Sequence, residues 1–414
     1  MNLKFITSET MEVFLSTFDL EGFLSKNGHL SPQTFLLSHK GNENSFANLL
    51  ADQLKVYKKA IYKLPVHCQH FCWFSSKSYE QASSEASALL KSRLFPAKTV
   101  LDLSGGLGID DWAFAKAGAE VTSVDPDEML NKLVIANNKK TGYTSILRIT
   151  QTAEAFLENF SAKIDLVYLD ADRREAEKRV SLKSNGKPDY FELEKKLHEI
   201  ADKIVLKLSP LVDLTACERE LSYLSKITVV SLNYEVKEIL CCIEPKFSGK
   251  PCVEIFELNE QGGVLFSISS ETLKDIQFFE ELGSIETCFF EARPALIKSG
   301  FAMQFAKQLG FESQNQNGTW FTGSNLQSSN EHIFRVFHLV NRGIFKKNEF
   351  ILYLKSNQIR KAHVKCREIG ISVDEFRKQY KIADGGEDYF FVGKSLSGEK
   401  TWFHCRKINP GLQE

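Results

Sequence analysis

The chain has no uninterrupted apolar run of membrane length among its 414 residues, so a helical membrane span is not expected. Its start, Met1-Asn-Leu-Lys-Phe-Ile6, lacks a secretory apolar core with a small-residue cleavage site, and a cytoplasmic location is the expectation. Nine cysteines, an odd number without framework spacing, argue against a disulfide scaffold and for reduced thiols. The adjacent Cys241 and Cys242 sit in an apolar strand-like run and read as core. In His67-Cys-Gln-His-Phe-Cys72 the residue types of a zinc site crowd together, but no second pair follows at finger spacing, so packing is the expected role and no metal is expected. Internal repeats and low-complexity tracts are also missing. So is an excess of charge of one sign: the formal net charge is −1.

What is present, 43% hydrophobic and 25% charged residues, is the composition of soluble globular domains, and the length calls for two to four of them. The charge is unevenly spread. Residues 341–414 hold 15 lysines and arginines against 9 acidic residues, which leaves −7 for the rest of the chain and makes the tail its basic part.

The most informative stretch is Val100-Leu-Asp-Leu-Ser-Gly-Gly-Leu-Gly-Ile-Asp110. A short β-branched and leucine run ends at Asp102, and Gly105, Gly106 and Gly108 then permit a tight turn and a close approach of backbone to a ligand. Helix formers follow from Ile109 to Ala117 and stop at Gly118, so the loop opens onto a helix N-terminus with free N–H groups. The next strand, Glu120 to Val124, ends at Asp125, about 20 residues after the loop, where a carboxylate accepts the hydroxyls of a ribose.

The place of the third glycine in a pyrophosphate-binding loop is taken by Asp111, which disfavours a dianionic ligand and therefore a nicotinamide dehydrogenase. S-adenosylmethionine carries a sulfonium and an ammonium group and no phosphate, so Asp102, Asp110 and Asp111 suit it on Coulombic grounds.

Together with Asp165-Leu-Val-Tyr-Leu-Asp-Ala-Asp-Arg-Arg174 and Val205-Leu-Lys-Leu-Ser-Pro210, these residues resemble a class I S-adenosylmethionine-dependent methyltransferase, of the bacterial group that carries a THUMP-like domain at its C-terminus. Gln81-Ala-Ser-Ser-Glu85 resembles the pre-core motif of that group. The tail from Arg360 through Gly385-Gly-Glu-Asp-Tyr-Phe-Phe391 resembles its THUMP-like module.

The first 95 residues show helical periodicity, as in Phe46, Leu49, Leu50, Leu54 and Tyr57 and again from Ala82 to Leu94. Strand-length apolar runs follow at Thr99 to Leu103, Glu120 to Val124, Leu147 to Thr150, Ile164 to Leu169, Lys203 to Leu208, Ile227 to Val236 and Val253 to Leu258. Seven strands match the α/β, Rossmann-like sheet that the resemblance implies. A break at Glu260-Gln-Gly-Gly263 precedes a small α+β module with a helix from Leu296 to Leu309. The expected organisation is a helical domain over 1–95, a methyltransferase core over 96–262, a ferredoxin-like α+β module over 263–338 and a THUMP-like domain over 339–414.

For the site, the resemblance implies that Asp102, Ser104, Gly105, Gly106, Gly108 and Asp110 lie against the methionine and ribose portions of S-adenosylmethionine, with Asp125 and Pro126 at the ribose. Gln151 and Thr152 stand where many relatives hold the adenine amine with an acid and a small residue. Asp170 and Asp172 are the candidate catalytic residues at the acceptor side, Asp170 also facing the cofactor. Arg173 and Arg174 offer planar forks to an anion, the alternative being a solvated ion-pair cluster. The segment lacks the two prolines and aromatic that often hold an exocyclic amine, so amine methylation by that arrangement is not expected. Ser209 and Pro210 would shape the acceptor pocket, while Lys207 reads equally as a strand residue with its amine in solvent. Arg360, Lys361 and Lys365 would present a basic face to RNA phosphates, whereas Tyr389, Phe390 and Phe391 read as core.

The expected activity is methyl transfer to RNA, transfer or ribosomal. The competing readings are a methyltransferase acting on a protein or small molecule, and a non-catalytic RNA-binding protein with a vestigial cofactor fold. In-line displacement at a sulfonium demands mainly positioning, with a base only if the nucleophile must lose a proton.

Overall fold

The computed structural model describes residues 8–38, 46–170, 182, 187–274, 288–323 and 332–408. Seven helices come first: α1 (Ser8–Thr17), α2 (Leu20–Asn27), α3 (Pro32–Ser38), α4 (Ala47–Lys63), α5 (Pro65–Gln69), α6 (Ser76–Gln81) and α7 (Glu85–Leu94). Alternating strands and helices follow as β1 (Thr99–Asp102), α8 (Ile109–Lys116), β2 (Glu120–Val124), α9 (Glu128–Thr141), β3 (Leu147–Ile149), α10 (Ala153–Glu158), β4 (Ile164–Leu169), α11 (Tyr190–Ile200), β5 (Ala201–Leu208) and α12 (Leu214–Glu220). Then come β6 (Leu224–Leu232), β7 (Glu235–Ile243), β8 (Cys252–Leu258) and β9 (Val264–Ser269). Helix starts are chemically marked: the side chains of Asp19, Ser84, Asp127, Thr152, Asp189 and Asp213 each accept a backbone N–H of the first turn.

Strands β1 to β5 are parallel to their neighbours, and β7 joins β5 antiparallel, with Leu208 opposite Ile239. The sheet order is β3-β2-β1-β4-β5-β7-β6-β8-β9. It therefore has nine strands where seven were expected, for two reasons. One expected run, Ile227 to Val236, is two strands: Asn233 and Tyr234 turn the chain between them with φ of 52° and 61°, as a two-residue hairpin demands. The run starting at Val264 adds β9.

The chain divides into two compact units, one of Met1–Asn233, Lys237–Cys252 and Leu258–Val264, the other of Tyr234–Val236, Val253–Glu257 and Leu265–Glu414. Within the first, the expected boundary at residue 95 is not a boundary of packing. Met11, Leu15, Phe35, Leu54 and Trp73 from the helical region share one core cluster with Ile109, Trp112, Leu133 and Val134 of α8 and α9. Trp73 ties the two parts further. Its backbone N–H donates to Asn137 Oδ1 at 2.7 Å, its carbonyl accepts from Asn137 Nδ2 at 2.9 Å, and its indole N–H donates to the Leu15 carbonyl at 3.1 Å. Each such buried large side chain contributes about 1.5–3 kcal/mol.

Of the His67 to Cys72 cluster, His67, Cys68 and Cys72 are buried and His70 is exposed. His67 Nδ1 meets Glu85 Oε1 at 2.6 Å, and burial pushes the Cys68 and Cys72 thiols up to about 12. Among the described residues no group of three potential ligands is arranged for a metal ion. No helix among them is long and apolar enough to cross a membrane.

The second unit contains β10 (Cys288–Ala292), α13 (Pro294–Lys298), α14 (Ala302–Gln308), β11 (Glu312–Ser313), β12 (Trp320–Gly323), β13 (Phe334–Ile344), α15 (Lys347–Ser356), β14 (His363–Cys366), α16 (Val373–Tyr380), β15 (Asp388–Lys394) and β16 (Lys400–Lys407). The single helix expected from Leu296 to Leu309 is broken at Gly300, whose φ is +79°. The described strands form one seven-stranded sheet, β11-β12-β10-β13-β16-β15-β14, and β13 runs straight through the boundary expected at 338/339. Side-chain alternation puts Phe390, Val392 and Trp402 in a core with Phe350 and Phe376 of α15 and α16. Phe391 and Phe403 fall in a separate aromatic cluster with Phe289, Trp320 and Phe337.

Candidate functional site

At the C-terminal ends of β1, β2 and β4, where ligands gather on open α/β sheets, a cavity of about 880 Å³ is lined by the loop from Asp102 to Asp110 and by Asp125, Pro126, Thr152, Asp170, Lys207 and Ser209. Most residues expected at the cofactor and acceptor are thus brought together. Gln151 and Pro210 are not part of the lining. Asp172, Arg173 and Arg174 lie outside the described residues.

The glycine loop is held by side chains within and around it. Gly106 and Gly108 have φ of +47° and +75°, and Gly108 forms the N-cap of α8. The Gly106 N–H donates to Asp125 Oδ2 at 2.9 Å and the Asp127 N–H to Asp125 Oδ1 at 2.8 Å. Each carboxylate oxygen keeps acceptor capacity for a ligand hydroxyl. On β1, Asp102 Oδ1 accepts from the Ser104 N–H at 2.7 Å and the Ser104 hydroxyl at 2.9 Å, and Ser104 Oγ in turn accepts the Asp170 N–H at 2.7 Å. One chain of hydrogen bonds joins the ends of β1 and β4.

Asp111 does not face the ligand. It is buried and its Oδ2 accepts from Arg148 Nη1 at 2.9 Å and Ser123 Oγ at 2.6 Å. Arg148 also donates to the Gly106 carbonyl at 3.0 Å and to Asn131 Oδ1 from Nε at 3.0 Å and Nη2 at 2.7 Å. A side chain at Gly105 would collide with this guanidinium and with Ser123. The Coulombic argument from Asp111 toward a cationic ligand is therefore corrected: its charge is met within the protein. Asp102 likewise offers less charge than its residue type suggests, because burial and then the neighbouring Asp111 hold its carboxyl well above the usual carboxylate range.

Asp110 points the other way. It lines the cavity, and Lys91 Nζ, fully buried, reaches its Oδ1 at 2.8 Å. The same ammonium donates to Ser83 Oγ at 2.7 Å, Tyr168 Oη at 3.2 Å and Glu238 Oε2 at 3.2 Å, while Ser83 and Tyr168 donate to Asp110 Oδ2 at 2.8 and 3.1 Å. Burial acts to raise the Asp110 carboxyl, but the Lys91 and Lys207 charges outweigh it and bring it below the usual range. This network was missed in the sequence. Its one local signal is the composition of α7, where Ser and Ala surround Lys91 and the helix is buried nearly all round.

At the acceptor side, Lys207 is not a solvated strand residue. It is mostly buried and ion-paired with Asp170 Oδ2, a pairing that keeps its amine protonated against the cost of burial.

In the second unit, Arg360 and Lys361 are exposed as expected, but Lys365 is half-buried and its amine is bound at 2.6 Å to Glu291, which also takes Arg335 at 3.1 Å. Its charge is met within the protein. Phe390 and Phe391 are core, with Tyr389 partly buried.

A family model described as THUMP domain-like matches residues 334–407, beginning with β13, five residues before the expected boundary at 339. The crystal structure of a protein from Porphyromonas gingivalis W83, provisionally described as a methyltransferase, is similar over 95% of this chain and 100% of that one, at 24% identity and a TM-score of 0.73. Smaller overlaps, too limited to carry weight, occur with TrmN from Thermus thermophilus (18% identity, 39% of this chain, 48% of that one, TM-score 0.30). The same holds for PH1948 from Pyrococcus horikoshii, provisionally described as an RNA methyltransferase (19% identity, 30% and 55% of the chains, TM-score 0.23). No curated protein matches the chain. The molecule thus shares the fold of the Porphyromonas gingivalis structure and carries a THUMP domain-like region over residues 334–407.

Proposed function

We propose that the protein is an S-adenosylmethionine-dependent methyltransferase acting on RNA. The observation that carries the reading is the convergence of the glycine loop, Asp125 and Asp170 on one cavity at the strand ends. The donor set fits the cofactor: Asp125 has capacity for the ribose hydroxyls, and Pro126, Met129, Leu130 and Ala153 give apolar wall for an adenine. S-adenosylmethionine, when bound, supplies an electrophilic methyl group.

The chain's own residues do the positioning. Ser104, donating to Asp102 and accepting the Asp170 N–H, ties these two residues to each other. Lys207 anchors one oxygen of Asp170, leaving the other to accept a hydrogen bond from the incoming nucleophile. RNA as acceptor is supported by the THUMP domain-like region and by the exposed Arg360 and Lys361 within it.

The test is transfer of labelled methyl from S-adenosylmethionine to RNA, protein and small-molecule fractions of cells lacking this protein. The expected result is label in RNA that disappears with Asp170→Ala while cofactor binding is kept. Label in another fraction would overturn the RNA assignment, and cofactor binding without any transfer would overturn the catalytic one.

A further inference from the structure

Beside Lys207, which anchors Asp170, the acceptor side of the cavity carries further lysines that the methyl-transfer reading does not use. Lys207 is the last but one residue of β5, and the antiparallel pairing of β5 with β7 brings Lys237 near that end. Lys77, in the first turn of α6, lines the same cavity. Lys63, the last residue of α4, sits behind them. Its ammonium donates to the Tyr79 carbonyl at 2.7 Å and lies over the Tyr79 ring at 4.7 Å.

Lys63 is close enough to Lys207 and Lys237 to feel their charges. Burial, and then the charges of Lys207 and Lys237, push Lys63 down to about 8, with Glu80 opposing. Asp170, the carboxylate at the end of β4, is bound to Lys207. Lysines gathered at the wall of a cleft attract an anion, and lysine, a point charge on a flexible stem, binds phosphate without requiring planar geometry.

Resting on the methyltransferase reading, we propose that Lys77 and Lys237 form an anion subsite beside the acceptor position, and that it takes a phosphate of the RNA next to the nucleoside that receives the methyl group. Specificity then includes charge close to the reaction as well as charge in the basic tail.

Inorganic pyrophosphate is the first probe, titrated by calorimetry into the full chain and into the Lys77→Gln/Lys237→Gln double variant. The double variant should bind it about tenfold more weakly, and Lys77→Arg/Lys237→Arg should restore most of the loss. Absence of pyrophosphate binding by the wild type, or equal binding by the glutamine variant, would overturn the subsite. A trinucleotide should bind more tightly than a mononucleotide through the same lysines, and equal binding would reject an RNA phosphate in favour of a small phosphorylated acceptor. Methyl transfer to RNA is scored separately, so failure of that activity with pyrophosphate binding intact would remove the substrate and leave the anion subsite standing.

Discussion

Asp110 and Asp111 are neighbours in sequence, equally acidic and in the same first turn of α8, yet they serve opposite sides of the glycine loop. Asp111 lies under the loop against Arg148, whose planar fork also holds the Gly106 carbonyl and Asn131. Asp110 lies beside the cavity against Lys91, a compact charge that bridges it to Glu238. The difference teaches that the arginine side is a closed scaffold with its donors spent on fixed partners, and the lysine side is a wall of the site itself. Residue type alone does not tell them apart; the geometry of the cation does.

Breaking the lysine side should cost most. Lys91→Met leaves Asp110 and Glu238 buried without their cation, and urea unfolding should show a loss of about 3–5 kcal/mol. A loss below about 1 kcal/mol would mean that water or another cation reaches the carboxylates. Next is Arg148→Lys, which keeps the charge but cannot span Asp111, Asn131 and the Gly106 carbonyl together. It should lower stability by about 2–3 kcal/mol, and an unchanged unfolding midpoint would count against the fork.

A smaller effect separates the two aspartates by function. Asp110→Asn should weaken S-adenosylmethionine binding about tenfold, roughly 1.4 kcal/mol, while Asp111→Asn should change it by less than about twofold. Equal losses in calorimetry would erase the distinction.

The smallest effects are in pH dependence. The Asp110 carboxyl lies below its usual range, so its contribution to stability is present above the unfolded value of about 3.9 and is lost as pH falls through the folded one. The acid limb of the stability curve should be flatter in Asp110→Asn. Asp102 is shifted upward, so its contribution is present below about 3.9 and fades as pH rises through its folded value. Asp102→Asn should therefore gain on the wild type with rising pH, and parallel curves for the two would sink the assignment.

Much of this was legible before any coordinates. The loop is readable because positive φ at Gly106 and Gly108 restricts the residue type, and Asp125 because it closes the strand that follows the loop. The amphipathic N-terminal helices were readable from periodicity. The β6 and β7 hairpin was not, because its turn is Asn233-Tyr234 and lacks the glycine that usually marks a two-residue turn. Lys91, Arg148 and Glu238 were invisible for a different reason. Their partners stand far away in sequence, and a buried ion pair leaves no period behind. On the same grounds Lys365 reads as an exposed cation and the place of Lys207 stays open in the sequence.

The core shared by the N-terminal helices with α8 and α9 also bears on how the chain is made. During synthesis the first 95 residues emerge before Trp112, Leu133 and Val134 exist, so Trp73 and the phenylalanines around it, Phe14 and Phe18 among them, must wait for their partners. Until residue 137 appears, the backbone of Trp73 has no amide to close on. The helical region is then an early product that stays open, exposed to chaperones or to premature association, and a chain started at residue 96 would have the converse defect, an uncovered face on both helices that flank the glycine loop.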